Sequence, residues 1–180
     1  MAHLGRLHGH RFTSGSEIDD IRGSNVYGVE DKKLGKIDDV IFDHLSGDIK
    51  YVVVDTGGLL STKRFIVPAD RLMKSVEHEN DYAVNLTKEQ IETFPPYDEN
   101  AVEAQDRWKD YETRYRAAWT DTPVQHRAGS DKNISPDLGE RWKRFGTRLR
   151  SERDVIVGGC SICTPGRKSV EQPSRERKVG

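Results

Sequence analysis

Gly35-Lys36-Ile37-Asp38-Asp39-Val40-Ile41-Phe42-Asp43, then a turn, then Ile49-Lys50-Tyr51-Val52-Val53-Val54-Asp55: this stretch decides the fold. Both runs are rich in β-branched residues, and Ser46-Gly47-Asp48 between them suits a hairpin connection. Apolar residues stand side by side at Val40-Ile41-Phe42 and at Val52-Val53-Val54, so both faces of each strand are oily. A sheet with one wet side would alternate instead. One face should fill a small barrel. The other should meet a helix, a tail or a second subunit.

Working outward, six short strands are expected, over about Asn25–Val29, Gly35–Phe42, Ile49–Asp55, Lys63–Val67, Leu72–Glu77 and Tyr82–Leu86. Short strands with short connections suit a small closed β-barrel. Thr87-Lys88-Glu89-Gln90 reads as a capping box that starts a helix. Pro95-Pro96 stops it, and Ile91 and Phe94 share a face that would plug one end of the barrel.

The runs Lys33-Leu34-Gly35-Lys36-Ile37-Asp38-Asp39-Val40-Ile41-Phe42-Asp43, Ser46-Gly47-Asp48-Ile49-Lys50-Tyr51-Val52-Val53-Val54 and Phe65-Ile66-Val67-Pro68-Ala69-Asp70-Arg71-Leu72 resemble the PRC-barrel family. That family includes the cytoplasmic domain of the photosynthetic reaction-centre H subunit and the C-terminal domain of a ribosome maturation factor. The resemblance covers about half of the chain. It implies a small β-barrel that works as a binding or scaffolding module, and it carries no quinone or pigment site onto these residues.

The expected organisation is a flexible arm over 1–15, a six-stranded PRC-type barrel over 16–97, a helical extension over 98–150 with a linker near 120–134, and a disordered tail over 151–180. A long helix is predicted over about Asn100–Trp119, with Val102, Trp108, Tyr111, Tyr115 and Ala118 near one face. That aromatic strip would dock a partner, or pack on its own barrel or a dimer mate. A second helix is predicted over Pro136–Arg150, capped by Ser135. Leu138, Trp142, Phe145 and Leu149 form its apolar stripe, and Arg141, Lys143, Arg144, Arg148 and Arg150 its basic face. Trp108, Tyr111, Tyr115, Trp142, Phe145, Arg141, Arg144 and Arg148 are thus the candidate partner-binding residues.

Charge is unevenly spread. Residues 16–98 hold 10 Lys/Arg against 17 Asp/Glu, and residues 99–180 hold 17 against 13, within a total net charge of −1. An acidic barrel beside a basic half can attract its own kind or a partner. The two cysteines, Cys160 and Cys163, have C-x-x-C spacing but no second pair to complete a zinc site. His3, His8 and His10 lack an evident fourth ligand. Asp38, Asp39 and Asp43 cluster at strand ends, where carboxylates bond to solvent or backbone amides. No constellation points to catalysis, and no cofactor is expected.

No apolar run approaches the length of a membrane span, and residues 1–10 lack the apolar segment of a signal peptide, so a cytoplasmic location is expected. The leading expectation is a non-enzymatic, self-associating binding module with a protein partner or itself. The second is an RNA- or ribosome-associated factor using the basic helix. The third is a metal or redox module built on the C-x-x-C.

Overall fold

The computed structural model describes residues 3–13, 19–60, 63–120, 138–158 and 160. Along them run β1 (Leu4–Arg6), β2 (Asn25–Tyr27), β3 (Lys33–Asp43), β4 (Ile49–Asp55), β5 (Arg64–Pro68), β6 (Leu72–Lys74) and β7 (Tyr82–Val84), then α1 (Lys88–Glu92), α2 (Glu99–Glu103), α3 (Gln105–Thr120) and α4 (Gly139–Ile156).

The hairpin read from the sequence is the spine. β3 and β4 pair antiparallel with two register shifts, and such bulges bend and twist a strand. The sheet order is β5-β4-β3-β2-β7-β6. All pairs are antiparallel except β2 with β7. β3 is long enough to serve two partners on its other edge. β2 pairs with Lys33–Lys36 and β1 with Ile41–Asp43. Between them, loop backbone completes the ladder: Ile37 N–H donates to Ser24 C=O, and Leu7 N–H to Val40 C=O.

Connectivity forces this sheet to curl. β5 and β6 are the two ends of the order, yet only the 3-10 turn Ala69–Arg71 joins them. Laid flat, six strands would hold their end members about 24 Å apart. Three linking residues span at most about 14 Å. The result is a curled half-barrel, and among the described residues no pairing joins β5 to β6. Val52, Val53 and Val54 are all fully buried, although neighbours on a strand point to opposite faces. Both faces are therefore covered. Gly35 permits the tight approach of β3 to β4, because a Cβ there would overlap the Asp55 carbonyl.

The helical cap forms as read. Thr87 Oγ1 accepts from Gln90 N–H while Gln90 Oε1 accepts from Thr87 N–H, and Ile91 and Phe94 are buried. Three features depart from expectation. The arm expected to be flexible carries β1 and a buried Leu4 and Leu7, so among the described residues a seventh strand joins the six expected. The single helix over Asn100–Trp119 is two, because Ala104 is extended (φ −108°, ψ 101°), and Asp98 caps the first. The second helix runs past Arg150 to Ile156, through part of the expected tail. Ser135-Pro136, the linker after Thr120 and the chain beyond Cys160 lie outside the described residues.

Candidate functional site

The aromatic strip of α3 lies against its own sheet. Trp108, Tyr111, Tyr115 and Trp119 are all buried, and their rings run in series down the helix with Phe94 beside the last two. Burial pushes the Tyr115 hydroxyl well above its ordinary pKa. That hydroxyl donates to Ile66 C=O and accepts from Ile66 N–H at 3.1 Å. Ile66 sits on β5, an end strand, so α3 caps an edge that would otherwise be open. The Tyr51 hydroxyl donates to Glu112, which also pairs with Arg116 at 3.0 Å. Trp108, Tyr111 and Tyr115 are thus core residues, not a free docking strip.

α4 is likewise turned inward. Phe145 and Leu149 are fully buried, and Trp142 meets Tyr82 edge-on at 5.8 Å. Burial, the leading cause, lifts the Tyr82 hydroxyl to about 12. Arg141 donates to Ser24 Oγ, Asn80 C=O and Asp20 C=O. Arg144 and Arg148 both reach Asp19. The charge asymmetry seen in the sequence is therefore used within the chain, where basic helix meets acidic sheet domain.

Residues 3–13 strap across this contact. Glu152, a buried carboxylate, accepts from Thr13 N–H and Oγ1 and bonds to the His10 ring at 3.0 Å. The His10 bond is the main cause holding its pKa below the usual value. Phe12 packs edge-on against Phe145, with the Arg22 and Arg148 guanidinium groups over its ring.

Asp39 and Asp43 are buried, but backbone amides occupy them. Asp39 accepts from His8 and Val40 N–H at 2.8 Å each, and Asp43 from Leu45 N–H. Burial raises the Asp39 pKa against the pull of those bonds and of Arg6 and Arg22. Asp38 is exposed and pairs with Arg64. A cleft of about 470 Å³ lies beside α2, lined by Arg64, Pro95, Pro96, Tyr97, Glu99, Tyr111 and Arg114 among others. Its charges are mixed, and Glu99 pairs with Arg6 and lies within reach of Arg64.

One grouping of chemically able side chains was not read from the sequence. His3, His44 and Cys160 bring their ligand atoms within 4.8 Å of one another. Cys160 Sγ is 3.5 Å from His3 Nδ1, and the two histidine rings meet edge-on at 4.7 Å. Burial, then the neighbouring His3, lowers the His44 pKa. The C-x-x-C spacing pairs Cys160 with Cys163, which lies outside the described residues. His44 carried no sequence signal, because only the pairing of β1 with the end of β3 brings it to His3.

Comparison with known proteins agrees with the fold. The family model described as PRC-barrel domain matches residues 15–98, and this stretch is a PRC-barrel domain. An uncharacterized protein of Deinococcus radiodurans is 33% identical over 75 residues. That match covers 42% of this chain and 27% of the relative, so the chain spans only about a quarter of the curated protein it matches. No helix among the described residues is long and apolar enough to cross a membrane.

Proposed function

We propose that the PRC-barrel domain of residues 15–98 serves here as a non-enzymatic binding and scaffolding module, self-associating through protein–protein contacts. The observation that carries this reading is the outer edge of β6. Among the described residues β6 pairs with β7 alone, and Met73 on it and Val76 just beyond it are 43% and 93% exposed. An end strand with exposed apolar side chains is a template for a further strand. PRC domains often mediate protein interactions. The occupancy of Asp39 and Asp43 by backbone amides supports a non-catalytic role, since a general acid or base must face its substrate. In the same reading the protein works in the cytoplasm. Arg141, Arg144 and Arg148, which a nucleic-acid partner would need, are engaged within the chain.

Size-exclusion chromatography with light scattering on the full chain tests the proposal. The parent is expected to dimerise at micromolar concentration, and Met73→Glu/Val76→Glu to run as a monomer. A monomeric parent, or a dimer indifferent to the double substitution, overturns it.

A further inference from the structure

The geometry points to a transition-metal site formed by His3, His44 and Cys160, of the kind that takes zinc. It stands independently of the scaffolding reading. Two imidazoles and a thiolate are the donors that a borderline-soft divalent ion prefers. Bond lengths of a tetrahedral zinc site put its nitrogen and sulfur ligands roughly 3.3–3.6 Å apart. The Cys160 Sγ to His3 Nδ1 separation is 3.5 Å, already one edge of such a tetrahedron, and all three donor atoms lie within 4.8 Å of one another.

The site is also built by its surroundings. Three distant segments deliver the donors: the lead into β1, the turn after β3 and a residue four positions beyond the end of α4. His44 N–H donates to His3 C=O at 2.8 Å, which ties the two histidines together through backbone. Cys160 N–H donates to Val157 C=O at 2.8 Å, which sets the cysteine over them. Gly5 leaves the space that the His44 ring occupies, since a Cβ there would overlap the ring. Phe42, fully buried, backs His44 at 5.2 Å. Little ordering is left for the ion to impose.

On binding, a ring nitrogen of each histidine donates its lone pair. The Cys160 thiol gives up its proton to solvent as the metal–sulfur bond forms. No electron changes hands. Among the described residues three donors converge, and one more ligand completes a tetrahedral ion. The ion would pin β1, the turn after β3 and the end of α4 to one another.

Co2+ titration of the full chain, followed by absorption and then by Zn2+ displacement, tests the assignment. The parent is expected to bind one equivalent, with a thiolate-to-cobalt charge-transfer band and the intense visible bands of a tetrahedral ion. Zn2+ should abolish both. Even an outer-shell partner is worth tenfold to a hundredfold in affinity, so His44→Gln and Cys160→Ser should each weaken Zn2+ binding by about a hundredfold or more. Both variants keep side-chain bulk, and an unchanged circular dichroism spectrum verifies their fold. A parent without a saturable band overturns the site. So does binding that survives His44→Gln but is lost in Cys163→Ser, which would put the ion on the cysteine pair.

Discussion

Removing one oxygen atom from α3 should cost this protein a large share of its stability. Tyr115→Phe keeps the ring in its slot, where Tyr115 is 1% exposed, but deletes the hydroxyl that serves both the N–H and the C=O of Ile66. Ile66 is itself fully buried, so neither group has water to turn to. A buried donor or acceptor left unmet costs about 1–3 kcal/mol. Two are orphaned here, and the variant no longer has to desolvate a hydroxyl, so a net loss of about 2 kcal/mol follows. Urea denaturation should show the midpoint falling with its slope unchanged. Hydrogen exchange should show the Ile66 amide exchanging roughly 30-fold faster, the same energy at 1.4 kcal/mol per decade. A loss below about 0.5 kcal/mol, with Ile66 as protected as in the parent, would mean that the hydroxyl does not seal the edge of β5.

Three further perturbations probe other joints. Gly35→Ala drives a methyl group into the Asp55 carbonyl, and because backbone cannot swing aside, a loss of about 1–3 kcal/mol in thermal or chemical melts is expected. A melt equal to the parent's would show that β3 and β4 can part without penalty. Phe145→Ala empties the ring's place under α4, at a cost of about 3–5 kcal/mol, and should shift Trp142 emission to the red as the helix lifts. An unmoved emission maximum would show that the arginine contacts hold α4 alone. Asp39 has a folded pKa above the ordinary 3.8, so the folded state binds its proton more tightly than the unfolded chain does. Its contribution to stability therefore falls as pH rises from that ordinary value through the raised one, and is flat above. Asp39→Asn should remove this fall, seen as the difference between parent and variant melts across acidic pH. An unchanged profile would refute the assignment.

The central hairpin was plain in the sequence because both its signals are local: apolar runs on either side of a Gly-containing turn. The observed β4 has the bounds expected of it, and β3 is longer by two residues at its start and one at its end. The Thr87 cap and the Pro95-Pro96 stop were legible for the same reason. What escaped was tertiary. Leu4–Arg6 has no strand signal of its own and becomes β1 only because half of one edge of β3 needs a partner. The break at Ala104 was invisible because alanine is the best helix former. The aromatic strip and the arginine face had the right spacing, but periodicity cannot say whether a stripe meets a partner or its own sheet. His44 was silent for the same reason as β1, since its neighbours are 41 and 116 positions away in the numbering.

The Glu152 clasp has a consequence for the order in which the molecule is made. His10 and Thr13 wait for a carboxylate 142 and 139 residues downstream. A ribosome releases the whole sheet before it delivers α4, so residues 3–13, made well ahead of that helix, are among the last to be secured. Until then the segment is held by the pairing of β1 with β3, by His8 on Asp39 and by Arg6 on Glu99, without the Glu152 clasp. A translational pause or a protease cut ahead of residue 138 should therefore loosen residues 3–13, at the opposite end of the numbering, before it disturbs the hairpin.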